Sequence, residues 1–189
     1  MNNFIDTYFN DFEKVLEKFL KIDENKRNLN RCIDVIKNTK INNNSIYIMG
    51  NGGSSAIADH MAIDFTKNAG LKAYSISGAP TITTFANDFG YENMFKKALE
   101  HYCENGDVII AISGTGTSKN ILNACDYAKN NNMKVISFSG FKKNNPLSFK
   151  GDINFWVDSK AFGYLEIIHN LLIHYLCDAI IGKSEYMIR

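Results

Sequence analysis

The sequence predicts an α/β fold three layers deep: a five-stranded parallel sheet between two layers of helices, with further helices ahead of the first strand. Two observations carry this. Five short β-rich runs recur along the chain, most of them continuously apolar, and stretches of helical periodicity mainly separate one from the next. A strand that is apolar throughout is covered on both faces, and a helical crossover between successive strands makes them parallel.

Residues 2–21 set Phe4, Ile5, Tyr8, Phe12, Val15, Leu16, Phe19 and Leu20 three and four positions apart, the spacing of an amphipathic helix. A second helix follows from about 24 to 39, through Leu29, Cys32, Ile33, Val35 and Ile36. No Pro/Gly/Ser-rich linker follows it. Residues 1–42 therefore read as a helical extension of a single domain spanning 1–189, with the αβα core in 43–189. An apolar helical extension on a small domain commonly serves self-association.

The five strands are SIYIMG (45–50), LKAYSIS (71–77), DVIIAIS (107–113), MKVISFSG (133–140) and DINFWVD (152–158). Between and after them, helical periodicity covers 53–68, 80–86 with 91–104, 118–131 and 163–182. There is no repeat at a solenoid period.

A chain of 189 residues is long enough for one well-buried core, and 45% hydrophobic with 22% charged residues is ordinary for a globular protein. A net charge of +1 supplies no field for gathering nucleic acid or an anionic membrane, so neither is expected as a partner. Cys32, Cys103, Cys125 and Cys177 are widely spaced and form no CxxC, so they read as buried free thiols. The first residues lack the basic start, apolar centre and cleavage site of a signal peptide. No apolar run is read as approaching the roughly 20 residues of a membrane span. The expected location is the cytoplasm.

In a parallel α/β sheet, ligands bind outside the carboxyl ends of the strands. Two of those ends are unusual here: GNGGSS at 50–55 and SGTGTS at 113–118, each running into a helix. Small residues let the backbone approach a phosphate closely, a helix N-terminus offers free N–H groups, and hydroxyls add donors. Either loop alone is equally a tight strand-to-helix turn, with Ser118 as N-cap. Two such loops on one edge favour a phosphate ester. Residues 50–53 lack the third glycine of GxGxxG at its place, and no GxxxxGK[ST] occurs, so dinucleotides and nucleoside triphosphates are disfavoured.

His60 and Asp64 lie four residues apart, hence on one helical face. His60 beside Met61 and Ala62 would by itself read as a core histidine. His101, His169, Cys177 and the aromatic group Phe85, Phe89, Tyr91 and Phe95 read as packing.

GNGGSSAIADH, NDFGY at 87–91, AISGTGTSKNI at 111–121 and EIIHNLLIHYL at 166–176 resemble, in order and spacing, the sugar-isomerase (SIS) fold family. Within it they are most similar to the phosphoheptose isomerases. The resemblance implies a flavodoxin-like SIS fold and an aldose–ketose isomerase acting on sedoheptulose 7-phosphate through an enediol, in heptose biosynthesis for surface polysaccharide. It implies that Asn51, Gly52, Gly53, Ser54, Asn87 and Asp88 meet the sugar, and that Ser113, Thr115 and Ser118, with Gly114 between them, hold its phosphate. It implies a divalent metal, zinc, on His60, Asp64, Glu166 and His174, with Glu166 also beside the substrate and Asp64 and His174 as the acid–base pair. It also implies a homotetramer with the N-terminal helices in a central bundle and sites at subunit contacts.

Three positions depart from the family's pattern: Asp64 stands for a glutamate, Glu166 for a glutamine and Gly114 for a threonine. Glu166 and His174 are eight residues apart, a rise of about 12 Å along a straight helix, which is too far for easy co-ligation of one ion. An irregular helix start, a neighbouring subunit or separate roles would each resolve this. Two other readings stand beside the isomerase: a non-catalytic SIS-fold protein of the kind that associates with the replication initiator, and an isomerase or sensor for another sugar phosphate. The presence of both His174 and an acid at 64 favours an enzyme.

Overall fold

The computed structural model describes residues 3–185; Asn2, the first residue of the expected first helix, lies outside the described residues, as do 186–189. The elements run α1 (Phe4–Lys21), α2 (Asp23–Ile41), β1 (Ser45–Gly50), α3 (Gly53–Lys67), β2 (Lys72–Ser75), α4 (Ala79–Phe89), α5 (Met94–Tyr102), β3 (Val108–Ser113), α6 (Lys119–Asn130), β4 (Lys134–Ser139), a 3-10 turn (Pro146–Phe149), β5 (Ile153–Trp156) and α7 (Phe162–Ile181). The five strands form one parallel sheet in the order β2-β1-β3-β4-β5.

The apolar strands are explained by two cores. Ile46, Ile48, Ile110, Ile112 and Phe138 point to one face, where Cys32 and Ile36 of α2, Met61 and Phe65 of α3, and Ile168 and Leu172 of α7 cover them. Tyr47, Met49, Ile109 and Val135 point to the other, under Phe95 and Leu99 of α5 and Ile121 and Cys125 of α6. Successive strand residues therefore bury on alternate faces, and both are dry.

The reading of residues 1–42 as an extension is corrected for α2. Its buried Leu29, Cys32 and Ile36 belong to the sheet's core, so α2 is a layer helix. α1 joins it with its second half: Phe19 is buried and Phe12, Val15 and Leu16 pack against the core, while Phe4 is 71% exposed and Ile5 and Phe9 are similarly open. Periodicity cannot separate these cases, because an association face and a core face carry the same spacing.

The statement that no apolar run approaches a membrane span is also corrected. α7 is long and apolar enough to cross one by length and composition. In this fold it is a core helix, with Leu165, Ile168, Leu172, Ile173 and Leu176 buried. Cys32, Cys125 and Cys177 are buried free thiols as expected, and Cys103 is half-buried. Burial pushes the first three up to about 12, which keeps them protonated.

His169 is fully buried against Phe138, with Nε2 3.3 Å from the Ser139 carbonyl oxygen. Burial pushes its imidazole down to about 4. The unfolded chain takes up that proton near 6.5, so the stabilisation is fully present above pH 6.5 and is lost as pH falls towards 4. The urea midpoint should fall through this window, with a contribution from His169 of up to roughly 1.4 kcal/mol per pH unit. His169→Gln should flatten the slope relative to the parent chain. An unchanged slope would assign the acid sensitivity elsewhere.

Candidate active site

Strand order reverses direction between β1 and β3, which makes a crevice at their carboxyl ends. Gly50 pairs with Ile112 across these strands, so both small-residue loops leave the sheet side by side. Together they line a cavity of about 210 Å³, into which Asn51, Ser54, Ser113, Gly114, Thr115, Ser118 and Glu166 all face. Ile112 and Phe162 complete its wall. Among the described residues no lysine or arginine lines it, so an anion there would rest on hydroxyls, backbone N–H groups and the N-terminus of the 12-residue α6.

The second loop is held from behind. Gly116 N–H donates to Ser113 O at 2.9 Å, Leu147 N–H to Gly116 O at 3.0 Å, and Gly140 N–H to Gly114 O at 2.8 Å. Asn145, 1% exposed, packs against Gly116 and donates to Ser139 Oγ and Lys142 O. Gly116 has φ +67°. A side chain there would meet both a strained backbone and Asn145. The Ser113 and Ser118 hydroxyls lie 3.2 Å apart, and Thr115 Oγ1 is 2.8 Å from Thr117 Oγ1.

In the first loop, Gly50 N–H donates to Ser77 Oγ at 3.1 Å, and Ser77 Oγ–H donates to Gly50 O at 3.2 Å. Gly52 turns the chain at φ +55°. Gly53 has no side chain because the Glu166 carboxylate occupies that space, at the N-terminal end of α3. A carboxylate is favourable at this end of a helix. Gly52 and Gly53 thus contribute geometry more than lining.

His60, Asp64 and His174 form a separate group along α3 and α7. Asp64 Oδ2 lies 3.4 Å from His60 Nε2 and 3.5 Å from His174 Nδ1. One donor atom from each of the three lies within 4.8 Å of the others. The His60 side chain is 58% exposed, which corrects the core-histidine reading, while Asp64 is 17% exposed. Asn68 Nδ2 donates to Asp64 Oδ1 at 3.2 Å and leaves Oδ2 turned to the imidazoles.

Within one chain the expected four ligands do not come together: Glu166 lies in the cavity and outside the group formed by His60, Asp64 and His174. Asn87 and Asp88 are also placed differently from expectation. They are exposed on α4, with Asn87 Nδ2 donating to Asp88 Oδ1 at 2.8 Å, and neither lines the cavity.

Phe162 gives the physical reason for Gly114. A Cβ at 114 would sit 3.2 Å from the Phe162 ring, so the aromatic wall and a side chain at 114 compete for one space. Gly114→Thr is expected to displace Phe162 and raise KM about threefold to tenfold, and Phe162→Leu should relieve the effect in the double variant. Purely additive effects in a steady-state assay would separate the two positions.

Residues 7–140 match the SIS domain family. The chain belongs to that family. It is 31% identical over 183 residues to the phosphoheptose isomerase of Fusobacterium nucleatum subsp. nucleatum, covering 94% of this chain and 93% of the relative. With the phosphoheptose isomerase of Helicobacter pylori (strain ATCC 700392 / 26695), identity is 35% over 188 residues, 95% of each chain. Two solved structures share the fold at 26% identity: a phosphoheptose isomerase from Francisella tularensis, with TM-score 0.88 over 97% of this chain and 100% of that one, and one from Neisseria gonorrhoeae, with TM-score 0.85 over 93% and 96%. The family membership confirms the expectation drawn from the glycine-rich loops and the α3 and α7 motifs.

Proposed function

We propose that this chain interconverts sedoheptulose 7-phosphate and D-glycero-D-manno-heptose 7-phosphate in the cytoplasm, as a step of heptose biosynthesis for surface polysaccharide. The observation that carries the reading is the side-by-side exit of two small-residue loops into one cavity, on a chain whose relatives at 31% and 35% identity are phosphoheptose isomerases. Ser113, Thr115, Ser118 and the start of α6 bind the phosphate. Asn51, Ser54 and Glu166 face the sugar, with the Glu166 carboxylate accepting from its hydroxyls.

Aldose–ketose conversion removes a proton at one of C1 and C2 and delivers one at the other, while the two oxygens exchange a proton. Asp64, a carboxylate, suits the carbon-bound proton. His174 presents Nδ1 to Asp64, which leaves Nε2 to pass a proton between the oxygens. Two imidazoles and one carboxylate, from His60, His174 and Asp64, would hold a divalent ion, zinc by donor type. When bound, that ion supplies a Lewis acid at the carbonyl oxygen. Zinc chloride titrated calorimetrically should bind at one equivalent per chain and lose that site in His60→Ala; unchanged binding in the variant would remove the assignment.

Residues 1–42 contribute to a homotetramer in this reading, through α1, with sites at subunit contacts. Support comes from the open Phe4, Ile5 and Phe9 and from Ile167, Leu171 and Tyr175, an exposed stripe on α7 beside His174. A single chain's cavity of about 210 Å³ is also below the roughly 300 Å³ at which ligand sites usually begin.

The test is NMR of purified protein with sedoheptulose 7-phosphate and zinc, which should show the aldose form. No turnover by folded protein would favour the non-catalytic binding reading. The Phe162 wall beside Gly114 favours, as second reading, an isomerase for a different sugar phosphate, and turnover of a hexose or pentose phosphate in the same assay would select it.

A further inference from the structure

Asn51 sits in a hydrogen-bonded frame made by three separate elements. Its Nδ2 donates to Asn120 Oδ1 at 3.0 Å, and Asn120 Nδ2 donates back to Asn51 Oδ1 at 2.9 Å. Asn120 is 1% exposed and its orientation is set by the backbone, since the Ile121 N–H donates to the same Oδ1 at 3.0 Å. The hydroxyl of Tyr91 then donates to Asn51 Oδ1 at 3.0 Å. The loop carrying Tyr91 is itself tied to α6, because Asn123 Nδ2 donates to Glu92 O at 2.9 Å.

Counting donors and acceptors gives the consequence. An asparagine amide has two N–H donors and one oxygen with two lone pairs. In Asn51 both lone pairs and one N–H are committed, and the amide cannot turn over without opposing like groups to Asn120. One N–H remains, on a residue that lines the cavity. We infer that Tyr91 and Asn120 are positioning residues that hold Asn51 as a single-proton donor to a substrate oxygen. Tyr91 acts through Asn51 and does not line the cavity itself. The catalytic part of this inference rests on the isomerase reading above; the frame does not.

A double-mutant cycle on kcat/KM for sedoheptulose 7-phosphate tests the role. Tyr91→Phe keeps the ring and removes the hydroxyl, and should lower kcat/KM about fivefold, the worth of one neutral hydrogen bond, with the melting temperature unchanged. In an Asn51→Ala background the same substitution should change nothing. Full additivity of the two losses, or no loss from Tyr91→Phe alone, would overturn the inference. A second arm needs no substrate: in ¹⁵N-labelled protein the Asn51 side-chain N–H donated to Asn120 should exchange more slowly with solvent than its uncommitted partner on the same nitrogen, and Asn120→Ala should remove the difference. Exchange as fast as in a free asparagine in the parent chain would show that the frame does not exist. If the parent chain fails to turn over the sugar while the exchange result holds, the isomerase reading falls and the frame stands.

Discussion

Asp64→Asn is expected to lower turnover of sedoheptulose 7-phosphate by about two to four orders of magnitude, the range removed with a positioned acid–base group. The substitution keeps shape and removes the only carboxylate, among the described residues, that faces both His60 and His174. Nothing else in the three-residue group combines partial burial with an anionic oxygen turned towards both rings. His174→Ala should fall by a comparable amount. Circular dichroism and the sedimentation of the protein should be unchanged in both. Near-normal rates would show that the acid–base roles lie with other residues, Glu166 first among them because its carboxylate lines the cavity.

Gly50→Ala carries the second large effect, on stability. A Cβ at Gly50 would lie 2.6 Å from the backbone carbon and oxygen of Ser54, in the first turn of α3. Those are backbone atoms and cannot swing aside as a side chain does. Accommodation therefore requires α3 to move away from β1, pulling Ser55 Oγ away from the Ser77 carbonyl to which it donates at 3.4 Å. Overpacking of this kind costs about 1–3 kcal/mol, or a melting temperature lower by roughly 2–12 °C in a chain of this length. Gly78→Ala is the control: its φ is −66° and a Cβ there meets open space, so its melting temperature should hold or rise slightly. Equal melting temperatures for both variants would contradict the packing of the first loop.

Much of this was legible in the sequence because it depends on local pattern. Continuous apolar runs such as VIIAIS give both-face burial directly, and the small-residue loops announce where the backbone must be approached closely. The eight-residue interval between Glu166 and His174 raised the difficulty for one shared ion but left an irregular helix start, a neighbouring subunit or separate roles open; within the chain Glu166 lines the cavity and His174 joins His60 and Asp64. What was hidden depends on long-range contacts. Tyr91 read as one of an aromatic group, and its partner Asn51 lies forty positions away. Asn120 carries no signal in SKNI; only its pairing with Asn51 gives it meaning. Phe162, one position ahead of the helix read over 163–182, carried no signal; its ring fills the space that a side chain at 114 would need. The same holds for α2, whose apolar positions do not say whether they meet this chain's sheet or another copy.

The account rests on a proton moved between C1 and C2 by a protein carboxylate in contact with solvent. Turnover of sedoheptulose 7-phosphate in deuterated water, followed by NMR of the aldose product, measures this directly. The predicted result is deuterium at C2 of every aldose molecule formed, with the label rate falling alongside turnover in Asp64→Asn. Aldose that forms at an undiminished rate in Asp64→Asn, with the C2 label the same as in the parent chain, would contradict the role given to Asp64.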